Sequence, residues 1–354
     1  MENASDEVIK QILVNSNENQ IKLLCLTNKR FSGLCSDQKF MEDVYYQKVE
    51  NTILQDIINL KEPDISWKNF YTCVVNFKNA PLSPNKYCKL GKLLEVKLYA
   101  NMNPPILPTD DGTYLAAYFG HLEVLKYLVS RGIRLTVNEA TCAAMNGHLE
   151  VLKYLVSLNI LPIVSGVNLA AKNGHLDILK YLVSLGIRPT EYGEEWAVRN
   201  SHLEVLKYLV VIGIKLTSLT ANYAAQYGYL NVLEYLNCLN IRSTSDGADL
   251  ASENGHLKVL EYLVSLGIRP TSEGADLASE SGYLNVLEYL VSLGIQPTRN
   301  GANLAAKNGK LDVLQYIVSL GVPVTSYVAK MAYENNHQDI LNYLASLNPP
   351  ILLN

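Results

Sequence analysis

The chain has 354 residues, about twice the length of a typical single domain, so it holds either two domains or one long repeat array. With 48% hydrophobic and 18% charged residues, it has enough apolar side chains for a core and is excluded from the disordered class. The net charge of −4 excludes a generally basic protein that coats nucleic acid, so we expect no nucleic-acid partner.

Targeting and covalent cross-links leave no signal in the sequence. Met1 is followed by acidic residues and no apolar run, and no stretch approaches the roughly 20 apolar residues of a membrane span. The six cysteines are scattered without a Cys-x-x-Cys pair, which argues against a zinc ribbon or a disulfide scaffold. We expect a soluble, intracellular protein with no membrane partner.

Residues 1–50 are predicted to contain three short helices. The first runs from Asp6 to Val14, with Ser5 or Asp6 as its cap. The second covers Ile21 to Leu26 and leads into Asn28-Lys29-Arg30-Phe31, and the third runs from Asp37 to Asn51. One side of the first helix is apolar, through Val8, Ile9, Ile12 and Leu13.

This arrangement resembles an F-box, with Lys29-Arg30-Phe31 after the second helix and Ala4-Ser5 in place of the usual Leu-Pro opening. Residues 65–71, Ile-Ser-Trp-Lys-Asn-Phe-Tyr, resemble a segment that often follows F-boxes. The resemblance implies docking onto the Skp-type linker subunit of a cullin-type ubiquitin ligase. Docking would then use Val8, Ile9, Ile12, Leu13, Leu24 and Phe31. The alternative is a helical cap that shields one end of a repeat array.

Two segments connect this region to the repeats. Residues 51–79 are predicted to be a helical connector. Residues 80–108 are rich in proline, and their Asn-Pro-Pro-Ile-Leu at 103–107 also occurs at 348–352. We interpret 80–108 as a degenerate capping repeat, two residues longer than the others, because terminal repeats have a neighbour on one side only.

A 27-residue repeat occupies residues 109–354, as nine units and a C-terminal cap. Each unit is predicted to hold two short helices: the first carries a run such as Leu169-Ala170-Ala171, and the second starts near His175. A glycine or asparagine follows the second helix, where the left-handed conformation is expected. It is found at Gly132, Asn159, Gly186, Gly213, Asn240, Gly267, Gly294, Gly321 and Asn348. An alanine at the centre of every first helix allows close helix packing.

The phrase Leu-Ala-Ala-x-x-Gly-His-Leu-x-Val-Leu-x-Tyr-Leu resembles the two-helix half of the ankyrin repeat. The resemblance implies an all-α, ankyrin-like helix-turn-helix solenoid, preceded by a small helical N-terminal domain. The period of 27 instead of 33 implies shortened hairpins. These short units look most like ankyrin proteins of giant amoeba-infecting viruses, which implies a location in the host cytoplasm.

Catalytic chemistry is not predicted. All six histidines share one repeat position, and successive units lie roughly 8–10 Å apart, too far for their nitrogens to share a metal. No histidine remains to activate a nucleophile, and no phosphate-binding glycine loop is found. We expect no catalytic residue, no cofactor, no metal site and no enzyme, and we expect the histidine to hydrogen-bond in the turn between the helices.

The positions that vary between repeats are the candidate binding residues. In ankyrin-like stacks these positions line the concave surface. Following that resemblance, the partner-binding residues are Asp246, Asp249, Glu253, Glu273, Asp276 and Glu280, together with Tyr114 and Tyr118. Such a face suits a basic protein partner. The alternative is that Arg242 and Arg269, in the adjoining loops, neutralise the acids.

The predicted function is therefore that of a protein–protein interaction adaptor, which binds a protein through the repeats and recruits it to a ligase through the F-box-like segment. The alternative is a structural or competitive ankyrin scaffold that masks its partner and has no role in ubiquitin ligation.

Overall fold

The computed structural model describes residues 5–27, 29–52, 55–79 and 81–352. Over these ranges the regular structure is helical and includes no strand, as the sequence predicted. The chain divides into two compact units, residues 1–163 and 164–354. Within the described ranges, the apolar helices are all too short to cross a bilayer.

The first unit begins with four helices, not the three that were predicted. They are α1 (Asp6–Asn15), α2 (Glu18–Thr27), α3 (Lys29–Ser36) and α4 (Gln38–Thr52). The unpredicted helix is α3, which forms because Phe31 is fully buried in the common core and holds the segment against α4. Ser5 caps α1 as expected, since its Oγ accepts a hydrogen bond from the Val8 N–H at 3.4 Å.

A disulfide joins Cys25 of α2 to Cys35 of α3. The sequence analysis did not predict this bond. The two cysteines are ten residues apart in the sequence, and only the packing of α2 against α3 brings their Cα atoms to 6.0 Å.

The first unit continues with α5 (Gln55–Ile58), α6 (Trp67–Asn79), α7 (Pro84–Lys89) and α8 (Leu93–Ala100). Trp67 of α6 packs edge-on against Tyr46 of α4, with ring centroids 4.8 Å apart. Helices α7 and α8 form a pair, and α7 packs against the first helix of the next repeat. The first two 27-residue repeats complete this unit, as α9 (Asp110–Tyr118), α10 (Leu122–Ser130), α11 (Val137–Met145) and α12 (Leu149–Ser157).

The second unit contains the helices of repeats three to nine, and each repeat supplies a first and a second helix. In chain order they are α13 (Val164–Lys172), α14 (Leu176–Ser184), α15 (Glu191–Arg199), α16 (Leu203–Val211), α17 (Ser218–Gln226), α18 (Leu230–Cys238), α19 (Ser245–Glu253), α20 (Leu257–Ser265), α21 (Ser272–Ser281), α22 (Leu284–Ser292), α23 (Arg299–Lys307), α24 (Leu311–Ser319), α25 (Ser326–Glu334) and α26 (Gln338–Ser346). Consecutive first helices pack side by side, which is the stacking that the repeat predicted.

The turn after each second helix has the predicted left-handed residue in eight of the nine repeats. Gly186 has a φ of 82° and Asn240 a φ of 58°, both in the region that glycine and asparagine tolerate best. The prediction is wrong for Asn348. In the last repeat the chain leaves α26 through Leu347 in an extended conformation (ψ 160°), and Asn348 is not left-handed.

The central alanine of every first helix is fully buried, as predicted. We expect Ala224→Leu to lower the free energy of unfolding by about 1–3 kcal/mol, because the added side chain overpacks the contact between neighbouring helices. Urea denaturation would measure this loss. The control is Ser218→Leu at the exposed start of the same helix, and equal unfolding midpoints for the two variants would contradict the prediction.

Candidate partner-binding face

A pair of hydrogen bonds, here called the clamp, joins the first helix of one repeat to the start of the next. Asn168 donates from Nδ2 to Thr190 Oγ1 at 2.8 Å, and its Oδ1 accepts from the Thr190 N–H at 2.9 Å. The same pair of bonds recurs at Asn85–Thr109 and Asn222–Thr244. At Asp249–Thr271 and Asp276–Thr298 the carboxylate accepts both bonds, from the threonine N–H and from the threonine hydroxyl. The clamp therefore joins these first helices to the start of the next repeat at a defined separation.

A glycine lies three residues after the clamp threonine, and its lack of a side chain leaves room for the clamp oxygen. A Cβ at Gly274 would lie 2.4 Å from Asp249 Oδ1, and one at Gly301 would lie 2.5 Å from Asp276 Oδ1. A side chain would displace the clamp oxygen at these positions. The signal was present in the sequence as Asn or Asp, then Thr 22 residues later, then Gly three residues after that, and our sequence analysis did not recognise it.

The clamp corrects the predicted binding face at two positions. Asp249 and Asp276 were predicted to contact a partner, yet they are only 7% and 6% exposed. Both oxygens of each carboxylate accept hydrogen bonds from the next threonine, so these side chains belong to the repeat-to-repeat contact. The prediction was wrong because these residues point along the stack toward the next repeat.

The other four predicted carboxylates face outward and form the acidic patch, defined as Asp246, Glu253, Glu273 and Glu280. Asp246 and Glu273 are exposed, and Glu253 and Glu280 are half-buried on the same helices, α19 and α21. In the part of the chain that the structure describes, none of the four forms an ion pair. Arg269, one of the two arginines in the predicted alternative, forms no ion pair with these carboxylates among the described residues, and its guanidinium donates to the Leu293 carbonyl at 3.5 Å.

Tyr114 and Tyr118 lie in the N-terminal aromatic cluster, which also contains Phe119. All three are exposed, with centroid distances of 6.2 Å for Tyr114–Tyr118 and 4.9 Å for Tyr118–Phe119. The ammonium of Lys89 lies 5.4 Å from the Phe119 centroid. The sequence analysis did not include Phe119 among the candidate binding residues. The signal was its departure from the repeat, because most repeats have asparagine at this position.

A second group of aromatic residues, the aromatic patch, is defined as Tyr192 and Trp196 of repeat four and Tyr223 of repeat five. Tyr192 is 58% exposed and its ring centroid lies 6.5 Å from that of Trp196. Lys172 Nζ lies 5.6 Å from the Trp196 ring, and the Arg199 guanidinium lies 4.7 Å from the Tyr223 ring. The sequence analysis missed this patch.

The docking residues predicted for the F-box-like segment divide into two groups. Ile9, Leu13 and Phe31 are fully buried in the core of α1–α4, so the prediction that they contact a partner is wrong. An amphipathic helix in a small domain buries its apolar side against its own neighbours first. Val8 is 50% exposed, and Ile12 and Leu24 are partly buried against the same core.

The histidines have a structural role, as predicted, but they bond across repeats and not within the turn. The Nε2 atom of His148 lies 2.8 Å from the Tyr118 carbonyl, and that of His337 lies 2.9 Å from the Lys307 carbonyl. The rings of His148 and His337 therefore each pair with a carbonyl at the C-terminal end of the preceding repeat's first helix. Among the residues that the structure describes, no three His, Cys, Asp or Glu side chains converge as metal ligands would.

One histidine makes stability depend on pH. Burial lowers the pKa of His256, and a hydrogen bond to the Gln226 backbone opposes that shift. Because the folded-state pKa lies below the unfolded value, the stability from neutral His256 is present above about pH 6.5 and is lost as the pH falls through the folded pKa. Urea denaturation from pH 7.5 to 5 should show a smaller loss of unfolding free energy for His256→Tyr than for the wild type. The fold should tolerate this tyrosine, because Tyr229 and Tyr283 occupy the equivalent position in other repeats. An unchanged pH profile would contradict this.

Three comparisons with known proteins bear on the fold. A family model described as "Ankyrin repeats (3 copies)" matches residues 113–192 and 143–220, so this part of the chain is similar to ankyrin repeats. No curated protein matches the chain. The giant-virus and F-box resemblances are not shown by any of these comparisons.

Solved helical-repeat structures align with the chain at low similarity. The pentatricopeptide repeat protein PPR10, in complex with an 18-nt psaJ RNA element, is 12% identical with a TM-score of 0.40, and the match covers 97% of this chain and 58% of that one. PPR10 from maize is 13% identical over 99% and 64% of the two chains, with a TM-score of 0.33. The human ASB11 ankyrin repeat domain is 16% identical over 60% and 84%, with a TM-score of 0.22. The chain thus spans less than two thirds of PPR10, and these likenesses carry no argument about function.

Proposed function

We propose that this protein is a non-enzymatic scaffold that binds a protein partner through the exposed side chains of its first helices. The observation that carries the proposal is the contrast between the two kinds of position on those helices. The buried alanine recurs in every repeat and the clamp in several, while the exposed positions change from aromatic residues in repeats one and four to carboxylates in repeats six and seven. A constant frame with a variable surface is what recognition of a specific partner requires.

The charges and residue types exposed on the first helices indicate what kind of partner would bind. None of the carboxylates of the acidic patch forms an ion pair among the described residues, so the patch would attract a basic surface. The aromatic patch and the N-terminal aromatic cluster add tyrosine, tryptophan and phenylalanine, the side chains enriched at interface centres. The expectation that nucleic acid is not bound stays a prediction, because no comparison tests it.

Affinity purification with two charge-matched variants tests the proposal. The first-helix variant carries Asp246→Asn, Glu253→Gln, Glu273→Gln and Glu280→Gln. The control variant removes four exposed charges from second helices, through Glu204→Gln, Glu234→Gln, Glu261→Gln and Glu288→Gln. The proposal is supported if a partner binds the wild type and the control variant with equal affinity. The same partner should bind the first-helix variant more slowly and with less salt dependence. Partners lost only by the control would place binding on the second helices and contradict it.

The ligase role is a finer proposal that rests on the F-box-like segment. Its support is that Val8 is exposed beside the half-buried Ile12, at a groove also lined by Gln11 and Gln20. Purified full-length protein and a purified Skp-type linker subunit should then bind directly. Val8→Asp should weaken binding, whereas Glu123→Gln, at an exposed residue outside this groove, should not. No binding by the wild type would favour the alternative of a competitive scaffold that masks its partner.

The resemblance to repeat proteins of giant amoeba-infecting viruses extends the proposal to an intracellular host partner. Expression of the tagged protein in amoebae, followed by fractionation, would test the expected cytoplasmic location.

A further inference from the structure

The first helix of repeat four departs from its neighbours at the clamp position. Where neighbouring repeats have the clamp residues Asn168 and Asn222, this helix has Glu195. Glu195 instead forms an ion pair with Arg199, in which Glu195 Oε1 and Arg199 Nη2 lie 2.7 Å apart. Repeat four therefore lacks the clamp and uses the position to orient an arginine.

The contact with repeat five is maintained by a different residue. The hydroxyl of Thr220 donates to the carboxylate of Glu194, directly beside the position where the clamp would form. Burial raises the pKa of Glu194, and the hydrogen bond from Thr220 opposes that shift. A half-buried carboxylate therefore maintains the contact between repeats four and five.

The first helix of repeat four also carries one of the two tryptophans of the chain. Trp196 occupies the position that is leucine at Leu169, Leu250, Leu277 and Leu304. It is partly exposed beside Tyr192, and Arg199 lies over the ring of Tyr223 in the next repeat. A tryptophan, two tyrosines and an oriented arginine have the composition of an interface centre.

Apolar and then acidic side chains continue from this patch along the first helices. Repeat five presents Leu219, which is 54% exposed, and Tyr227, which is also exposed. Repeats six and seven follow with the acidic patch. Lys172, whose ammonium lies over Trp196, places a positive charge at the opposite end. A ligand that covers this surface therefore meets apolar side chains beside a cation first and carboxylates second.

We infer that this surface binds an extended segment of a protein partner with a bulky apolar residue at one end and a Lys or Arg pair at the other. The inference rests on the proposed function and names the partner's chemistry. The apolar residue packs on Tyr192 and Trp196, and the basic pair faces Glu253 and Glu280.

The spacing within the segment follows from the repeat. Repeat four lies two to three repeats from the acidic patch, or about 16–30 Å at roughly 8–10 Å per repeat. An extended chain advances about 3.3 Å per residue, so the apolar residue and the basic pair are separated by about 5–9 residues.

A display library of random 16-residue peptides, selected on the full-length protein, tests this inference. Two variants are compared with the wild type: Trp196→Leu, and the double variant Glu253→Gln with Glu280→Gln. Other repeats have leucine at the Trp196 position and glutamine, as Gln226, at the position of Glu253 and Glu280, so both variants should fold. We expect enriched peptides to carry the apolar residue and the basic pair at the stated spacing. Each variant should weaken their binding about tenfold or more, and the double glutamine variant should also reduce the salt dependence.

Other results would overturn the inference. Enriched peptides without the basic pair, or peptides that bind both variants as well as the wild type, would contradict it. Peptides whose binding is lost only on Tyr118→Ala would move the site to the N-terminal aromatic cluster and leave the scaffold proposal standing. A selection that enriches no peptide would refute a linear segment as partner, while the purification experiment above would still decide whether a folded protein binds.

Discussion

Replacing both Asp249 and Asp276 by alanine is expected to lower the free energy of unfolding of the second unit by about 2–6 kcal/mol. Each substitution removes two hydrogen bonds, and the net contribution of one such bond to stability is about 0.5–1.5 kcal/mol, so the four bonds together give this range. The loss should be local, because each repeat contacts only its neighbours. Hydrogen exchange should therefore show weaker protection at the start of α21 and α23.

The matched control for this prediction is the same pair of residues changed to asparagine. Asn168 and Asn222 form the clamp in other repeats, so Asp249→Asn with Asp276→Asn should change the free energy of unfolding by less than about 1 kcal/mol. If the asparagine pair is as unstable as the alanine pair, the charge and not the hydrogen-bond geometry holds the repeats together. If neither pair loses stability, the clamp has no energetic role.

Phe31→Ala is expected to destabilise the N-terminal helices by about 3–5 kcal/mol. The ring is fully buried against Ile9, Leu13 and Val44, and its removal leaves a cavity in a small core. Circular dichroism during urea titration would measure the loss. Leu23→Ala, at a residue that is 61% exposed, is the control and should change stability by less than about 1 kcal/mol.

This prediction also decides how the ligase role can be tested. A Phe31 variant that fails to bind a linker subunit would report loss of the fold and not loss of a contact. Val8→Asp keeps the core and changes only an exposed side chain, so it separates the two explanations. A Phe31→Ala protein as stable as the wild type would show that the ring is not part of the core.

The sequence by itself determined the repeat architecture, because the 27-residue period repeats the same burial pattern in every unit. The central alanines and the left-handed turns that end the second helices, with Asn348 the exception, were predictable from residue type and spacing alone. Both depend on local geometry: a small side chain where helices approach closely, and a positive φ just past a helix end.

The tertiary structure decided which polar side chains are available to a partner. Asp246 and Asp249 lie on the same helix three residues apart, yet one faces outward and the other is buried against Thr271 of the next repeat. The helical period alone could not separate them, since the direction of the neighbouring repeat sets which side of the helix is covered. The same applies to Ile9 and Val8: both are apolar residues of α1, and only the packing of α3 and α4 around that helix buries the first and leaves the second exposed.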